Sequence, residues 1–260
     1  MIRITACMIA AVILFATSVR ADFTYPQFPK HGSALSDWVL PGWKATNEVK
    51  GDLNKDGRDD IVLILERKEP ASHVRGCGKE TDTSETAPRI LLILLAQADG
   101  GYSLSVAEKN LVLRADEGGI FGDPLDGLFI ERGSVILHHY GGSAWRWFQT
   151  YRFRHQDGGW FLIGFTDSSN HNVSRLGTMY DYNPLTGKIK VTTTDEEGRP
   201  GCHHCMPGEK CPAAGRCGKG QRQAKREVIW LKTKKRPLMS LDKTYCRFLS
   251  DTILPLGPRW

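Results

Sequence analysis

The sequence predicts an all-β fold of antiparallel strands, arranged as a meander in a propeller-like or sandwich-like sheet domain. Two continuous apolar runs of strand length occupy residues 60–65 and 90–95. Residues 128–165 alternate between strand-like segments and turns that contain glycine. The pattern contains no amphipathic helix longer than a turn or two, so we expect helices to contribute little to the fold.

The two apolar runs are typical of strands buried on both faces, because polar side chains do not alternate with the apolar ones. Residues 66–88 between them are rich in Ser, Thr, Glu and Gly, and we expect a long polar loop there. A turn at residues 98–101 leads into residues 102–106, whose alternation is typical of a half-buried strand.

Residues 128–165 are predicted to form a meander, with turns at residues 131–133 and 156–159. Along residues 145–153, every second side chain points to the same face of the predicted strand. That face carries Trp145, Trp147, Tyr151 and Phe153. Because large aromatic side chains bury much apolar surface, we expect this face to form a wall of the core.

Residues 188–194 and 226–232 are each typical of a strand, and we expect them to pair as a C-terminal hairpin. Residues 195–223 would connect them as a cysteine-rich insertion. A connection of that length without secondary structure needs a functional reason or covalent cross-links, which its cysteines can supply.

Residues 1–21 are predicted to be a signal peptide, with a short positive start, an apolar segment and small residues at Val19 and Ala21. Cleavage after Ala21 leaves residues 22–260, long enough for a single β-rich domain. No later apolar run approaches the roughly 20 residues that cross a bilayer, so no transmembrane segment is expected. The sequence therefore predicts a soluble protein that is periplasmic or secreted.

The charge balance is mildly basic, with 35 Lys and Arg residues against 29 Asp and Glu residues. Much of the excess lies in residues 219–236, which we interpret as a solvated strand edge whose lysines discourage edge pairing. The alternative is a surface that steers an anionic partner. Because exported proteins seldom work on nucleic acid, no nucleic-acid partner is expected.

The cysteines are predicted to form disulfide bonds, because an even number in an oxidising compartment favours pairing. The six that remain after cleavage are Cys77, Cys202, Cys205, Cys211, Cys217 and Cys246. The alternative is a zinc knuckle, since two histidines lie between Cys202 and Cys205, but the second half of the cluster lacks paired ligand spacing. Cys202 and Cys205 are poorly spaced for a bond with each other, and the connectivity stays open.

The strongest motif is an oxygen-rich loop at residues 52–60, which predicts a bound calcium ion. Its expected ligands are the side chains of Asp52, Asn54, Asp56 and Asp60 and the backbone carbonyl of Arg58. Oxygen donors suit calcium, and the loop has no His or Cys to favour zinc or copper. Leu63 stands where an EF-hand needs a bidentate Glu, so the loop should open a strand. The alternative is a polar turn without metal.

Residues 51–65, Gly-Asp-Leu-Asn-Lys-Asp-Gly-Arg-Asp-Asp-Ile-Val-Leu-Ile-Leu, together with residues 92–102 resemble one FG-GAP (VCBS-type) repeat, the calcium-loop blade unit of integrin-like β-propellers. Residues 139–147, 151–164 and 182–187 resemble secreted bacterial single-repeat proteins, which include periplasmic lysozyme inhibitors and immunity proteins against cell-wall-degrading effectors. This resemblance implies calcium as the cofactor and a peptidoglycan hydrolase as the protein partner.

A partner-binding surface is expected at residues 140–146, where glycines permit a protruding turn between two strands. The candidate contact residues are Tyr140, Ser143, Trp145 and Arg146. Tyr, Trp and Arg are the side chains that most often carry interface energy. In a lysozyme inhibitor, such a loop would offer donors to the carboxylates of a saccharide cleft. The alternative places Tyr140 and Trp145 in the core.

No catalytic residues are predicted. Ser143 lacks the strand-turn-helix context of a nucleophile elbow, and the eight histidines show no metalloprotease spacing. The loop at residues 52–60 predicts a calcium-binding protein, and the resemblance to lysozyme inhibitors implies that this exported protein inhibits a cell-wall hydrolase. A calcium-stabilised structural or adhesion protein of the envelope is the alternative, and a secreted hydrolase is a third, because carboxylate pairs meet only in three dimensions.

Overall fold

A computed structural model describes residues 23–77, 80–174, 176–196, 224–232 and 240. Apart from one short 3-10 turn at Leu35–Asp37, the regular structure in this part of the chain is β. The strands are β1 (His31–Gly32), β2 (Trp43–Gly51), β3 (Asp60–Arg67), β4 (His73–Cys77), β5 (Glu80–Ser84), β6 (Arg89–Ala96), β7 (Tyr102–Glu108), β8 (Leu125–Glu131), β9 (Ser134–Gly142), β10 (Trp145–Gln156), β11 (Gly159–His171), β12 (Gly177–Asn183), β13 (Lys188–Glu196) and β14 (Ala224–Lys232).

The strands form two main antiparallel sheets. The smaller sheet has the order β1-β7-β6-β3-β2, and the larger sheet has the order β14-β13-β12-β11-β10-β9-β8. Each strand of the larger sheet lies beside its neighbour in sequence, so this sheet is a simple meander. The predicted all-β class is confirmed, and of the arrangements that the sequence allowed, the structure has a two-layer sandwich that does not close into a barrel.

The core between the two layers is apolar on both sides. Val62 and Ile64 of β3 contribute from the smaller sheet, and Leu137, Phe153 and Ile189 contribute from the larger one. All five side chains are almost completely buried. Burial of this apolar surface is the main force that holds the sheets together.

A second apolar cluster covers the opposite face of the smaller sheet. Ile61 and Leu63 of β3 and Leu94 of β6 pack there against Trp38 and Trp43 from the N-terminal part of the described chain. Strands β3 and β6 are therefore buried on both faces. This arrangement confirms the prediction drawn from their continuous apolar sequences.

Strand β10 fulfils the aromatic-face prediction over only part of its length. Tyr151 and Phe153 are in the core between the sheets. Trp147 is half-buried, and Trp145 at the start of the strand is 42% exposed. The side chains on this face are thus increasingly exposed toward the β9–β10 turn.

Two expectations about connections have different outcomes. The segment at residues 66–88 was expected to be a loop, but it contains the β4–β5 hairpin, in which polar residues pair through backbone hydrogen bonds. The expected C-terminal hairpin is confirmed, since β13 pairs with β14 from Lys188 opposite Lys232 to Glu196 opposite Ala224. Residues 197–223, which make up most of the cysteine-rich insertion, lie outside the described residues.

Two connections place the predicted sites at opposite ends of β9. The predicted calcium loop joins β2 to β3 and adjoins the β8–β9 turn, where a Cβ atom on Gly133 would lie 3.5 Å from the carbonyl oxygen of Asp52. The β9–β10 turn is at the other end of the nine-residue strand, roughly 30 Å away. Within the described parts of the chain, no helix is long and apolar enough to span a membrane.

Candidate functional site

The loop between β2 and β3 is folded around the carboxylate of Asp52. One oxygen of Asp52 accepts hydrogen bonds from the backbone amides of Lys55 at 2.6 Å and Asp56 at 3.2 Å. The other oxygen accepts the amide of Gly57 at 3.0 Å. Because Gly57 has a φ of +83°, a glycine is favoured at this tight turn. The loop therefore curls in the manner expected of an oxygen-ligand loop.

Asn54 and Asp56 continue this pattern within the loop. Asn54 Oδ1 accepts the amide of Asp56 at 3.1 Å, and Asp56 Oδ1 accepts the amide of Arg58 at 2.9 Å. The second oxygen of Asp56 is bonded to Asn54 Nδ2 and to the guanidinium of Arg58. Although desolvation raises the pKa of Asp56, the bonds from Asn54 and Arg58 and the charge of Arg58 outweigh it and lower that pKa. These contacts favour the ionised form of Asp56, which is paired with the guanidinium of Arg58.

Asp60 differs from the other predicted ligands because it is completely buried. Its carboxylate accepts the backbone amides of Leu53 at 2.8 Å and Ala96 at 2.9 Å. Burial raises the pKa of Asp60 and the charge of Asp56 adds to this effect, while the backbone hydrogen bonds oppose it. The raised pKa shows that desolvation of this carboxylate outweighs the hydrogen bonds that stabilise its charge.

The donor atoms of the loop are of the kind that calcium binds, but they are not gathered around one point as ligands of an ion would be. Carboxylate, amide and carbonyl oxygens are the donors that calcium prefers. Among the described residues, however, no three His, Cys, Asp or Glu side chains are gathered as a metal-ligand group. Arg58 holds an oxygen of Asp56, so calcium coordination by Asp56 requires this ion pair to open. The calcium site at Asp52, Asn54, Asp56, Arg58 and Asp60 stays a prediction.

The predicted partner loop is a tight β-hairpin with Ser143 and Ala144 as its two connecting residues. Gly142 has a φ of +111°, and a Cβ atom there would lie only 2.0 Å from the carbonyl oxygen of Trp145. The backbone amide of Gly142 also bonds to the carbonyl of Gly118 at 2.9 Å. On the other side, the amide of Asn172 bonds to the carbonyl of Ala144 at 2.8 Å. These bonds to two neighbouring segments hold the turn in place.

Aromatic side chains and an arginine flank this turn, with Tyr140 and Arg146 on the outer face of the larger sheet and Trp145 on the other face of β10. Tyr140 is 36% exposed and its ring lies 5.5 Å from the ring of Phe121, which is 44% exposed. The guanidinium carbon of Arg146 lies 3.9 Å from the centroid of Phe121. Trp145 contacts the ring of His171 at 5.3 Å. We call Phe121, Tyr140, Trp145 and Arg146 the hairpin cluster; Tyr140 and Trp145 belong to neither core cluster.

Phe121 was not identified from the sequence, although a signal was present. Ile120 and Phe121 are two apolar residues bounded by Gly119 and Gly122, and both are exposed. An apolar pair in a glycine-rich connection is a weak indication of a contact surface. The close approach of Arg146 to Phe121 depends on the tertiary fold, because the residues are 25 positions apart.

Two other predictions fall on residues that the structure does not describe. The signal peptide at residues 1–21 lies outside the described residues. Among the predicted disulfide cysteines, Cys77 is described only as the last backbone position of β4. Cys202, Cys205, Cys211, Cys217 and Cys246 lie outside the described residues. Disulfide formation and export stay predictions.

No family model, curated protein or solved structure matches this chain with significant similarity. The resemblance to FG-GAP repeats and to lysozyme inhibitors therefore rests on the residues of the motifs alone, and what it implies about function belongs to the proposals below.

Proposed function

We propose that this chain is an exported, calcium-stabilised binding protein that inhibits a cell-wall hydrolase through the end of the β9–β10 hairpin. The observation that carries the proposal is the exposed hairpin cluster. Its two aromatic strand residues, Tyr140 and Trp145, are 36% and 42% exposed on a well-packed sheet. Large exposed aromatic groups beside an arginine are typical of protein-binding surfaces.

The rigidity of the hairpin supports a binding role. Ser143 bonds through its amide to the carbonyl of Trp145 at 2.8 Å, and the flanking bonds of Gly142 and Ala144 hold the turn on both sides. A surface that is already ordered loses less conformational entropy when a partner binds. The hairpin cluster therefore has the pre-organisation that tight inhibition requires.

The charge of the hairpin cluster suits a hydrolase cleft. Glycoside hydrolases place a pair of carboxylates around the bond that they cleave. Arg146 provides a cation, and its stacking on Phe121 restricts where the guanidinium lies. Ser143 is exposed at the turn and offers a hydroxyl group. The choice of a hydrolase as the partner rests on the resemblance to lysozyme inhibitors.

Calcium would act on the scaffold rather than at the partner surface. The side chains of Asp52, Asn54, Asp56 and Asp60 with the carbonyl of Arg58 would hold the ion, which would neutralise the clustered carboxylates. The loop lies at the opposite end of β9 from the hairpin cluster. We therefore propose that chelation lowers stability first and inhibition only as a consequence.

The test is an inhibition assay with the purified mature protein and muramidases from the same envelope or habitat. We expect the protein to inhibit the muramidase stoichiometrically. In chelator, inhibition should persist at temperatures below the melting temperature of the calcium-free protein. A pull-down from envelope extract, with and without chelator, would identify the hydrolase. Sedimentation with isolated cell wall without inhibition would favour the structural alternative, and turnover of a chromogenic glycoside would favour an enzyme.

A further inference from the structure

The outer face of the larger sheet contains a groove of about 740 Å³ that crosses strands β9 to β13. Its lining includes Tyr140 and Arg146 at one side, Ser168 and Asn170 from β11, and Thr192 and Thr194 from β13. The register places Asn170 opposite Arg146 and Met179 opposite both Ser168 and Thr192, so outward-facing residues of adjacent strands meet there. The volume lies within the range of roughly 300 to 1,000 Å³ that is typical of small-ligand sites.

Two buried polar atoms in the groove lack hydrogen-bond partners among the residues that the structure describes. Thr192 is only 5% exposed, and its hydroxyl oxygen has no hydrogen-bond partner in the described part of the chain. The Nε atom of Arg146 is also buried and is likewise unpartnered among the described residues. Buried polar groups are nearly always satisfied, so an unsatisfied pair that lines one groove indicates that another molecule completes the bonds.

The side chains that line the groove indicate which kind of molecule it can bind. Ser168, Asn170 and Thr192 bear hydroxyl and amide groups, which both donate and accept hydrogen bonds and therefore match sugar hydroxyl and acetamido groups. None of the described lining residues is acidic, whereas Arg146 is cationic. Arg146 forms no ion pair with the described acidic residues, and a guanidinium is well suited to bind a carboxylate through two hydrogen bonds.

We propose that this groove binds an acidic carbohydrate, a sugar whose carboxylate pairs with Arg146 while its hydroxyl or acetamido groups bond to Ser168, Asn170 and Thr192. Tyr140, which is 36% exposed at the rim, offers an aromatic face to the apolar side of the sugar ring. This inference goes beyond the proposed function because the ligand binds to the chain itself, whether or not a hydrolase also binds to the hairpin cluster.

The experiment is calorimetric titration of the full mature protein with matched small molecules. N-acetylmuramic acid and N-acetylglucosamine differ by the lactyl group that carries the carboxylate, and glucuronic acid and glucose form a second such pair. We expect the acidic member of each pair to bind at least about tenfold more tightly, because its carboxylate gains charge-assisted hydrogen bonds from Arg146. N-acetylglutamate and inorganic phosphate test whether the sugar ring is needed, and both should bind more weakly than the acidic sugars.

Two substitutions assign the binding to this groove. Arg146→Met keeps the aliphatic stem and should abolish the preference for the acidic sugar, whereas Arg152→Met, on the same face of β10 outside the groove, should retain it. Thr192→Val replaces the buried hydroxyl group with a methyl group of similar size. It should weaken acidic-sugar binding several-fold without lowering the melting temperature, because no protein partner in the described chain loses a bond.

The proposal is overturned if neither acidic sugar binds, if neutral and acidic sugars bind equally, or if N-acetylglutamate or phosphate binds as tightly as the sugars. It is also overturned if Thr192→Val and Arg146→Met leave binding unchanged. These outcomes are separate from those of the hydrolase assay, because they are measured on the chain alone. Thr192 lies on β13, which β11 and β12 separate from β10, so its substitution should leave hydrolase inhibition intact.

Discussion

The carboxylate of Asp60, at the start of β3, accepts a hydrogen bond of 2.9 Å from the backbone amide of Ala96, at the end of β6. Its other oxygen accepts the amide of Leu53 at 2.8 Å. Asp60 therefore ties the predicted calcium loop to two strands of the smaller sheet. Its substitution would leave buried amides unsatisfied, so it cannot isolate the effect of the metal.

Asp56→Ala is the substitution that tests the calcium site, because Asp56 is exposed and its bonds stay within the loop. We expect it to remove the heat of calcium binding and the calcium-dependent rise in melting temperature. For the wild type, calcium at about 100 times its dissociation constant should add about 2.7 kcal/mol to the free energy of unfolding. Calorimetry and thermal melts in calcium or chelator measure both effects.

Asp59→Ala is the matched control, since Asp59 is an exposed carboxylate of the same loop that is not a predicted ligand. It should retain calcium binding. If the wild type shows no calcium heat and its melting is unchanged by chelator, the loop is a polar turn without metal.

Arg58→Ala should increase calcium affinity. Only the backbone carbonyl of Arg58 is a predicted ligand, whereas its guanidinium bonds to Asp56 and competes with the ion. Removal of the side chain leaves the carbonyl in place and frees the carboxylate, so we expect tighter binding in titration calorimetry. Lys55→Gln, which removes a charge from the loop without breaking a bond to Asp56, should have a smaller effect. Unchanged or weaker binding by Arg58→Ala would exclude this competition.

The ion pairs of Arg89 should make the fold sensitive to acid. Arg89 is 4% exposed and bonds to Glu66 and Asp123. Burial raises the pKa of Glu66, but hydrogen bonds from Lys44 and Arg89 outweigh burial and lower that pKa. Burial likewise raises the pKa of Asp123, and hydrogen bonds from Arg89 and the amide of Leu125 outweigh it. Both folded pKa values therefore lie below their usual values near 4.5 and 3.8. This stabilisation is complete above those usual values and is lost as the pH falls below them.

Arg89→Leu measures that contribution. At pH 7 it should lower the free energy of unfolding by about 3 kcal/mol, because it leaves two carboxylates without their buried cation. Below pH 4 the difference from the wild type should shrink as the carboxylates become protonated. Urea unfolding of both proteins at several pH values measures the free-energy difference at pH 7 and its decrease below pH 4. A difference that stays constant between pH 7 and pH 3 would mean that packing, rather than charge, accounts for the loss.

The cysteine prediction is tested by mass spectrometry under non-reducing conditions. We expect no free thiols in the mature protein, with Cys77 and Cys246 bonded to each other or to the cluster at residues 202–217. No zinc should be bound. Stoichiometric zinc together with four alkylatable thiols would establish the zinc knuckle instead.

The sequence predicted those features that arise from local pattern. Continuous apolar runs predicted the doubly buried strands β3 and β6, and alternation with glycine turns predicted the meander. The β4–β5 hairpin was missed because its residues are polar, so no apolar face indicated a strand. Phe121 over Arg146 and the groove around Thr192 were missed because each combines residues from separate segments, which only the tertiary register brings together.

The partner-surface prediction concerns Tyr140 and Arg146, which approach Phe121 at the exposed end of the β9–β10 hairpin. We expect Tyr140→Ala combined with Arg146→Ala to weaken hydrolase inhibition by at least about 30-fold, as for the loss of an interface hot spot of roughly 2 kcal/mol or more. The melting temperature should change little, because both side chains lie outside the core clusters. Inhibition constants and thermal melts of the same preparations measure the two effects.

A matched control is Phe129→Ala combined with Arg152→Ala, which also removes an exposed aromatic group and an arginine from the larger sheet, but away from the hairpin turn. It should retain inhibition. Asp56→Ala should instead lower stability first and inhibition second, because the calcium loop lies at the other end of β9. If the Tyr140 and Arg146 variant loses thermal stability along with inhibition, these residues support the fold. Failure of the wild type to inhibit any muramidase of its habitat would remove the inhibitor proposal and leave the structural role.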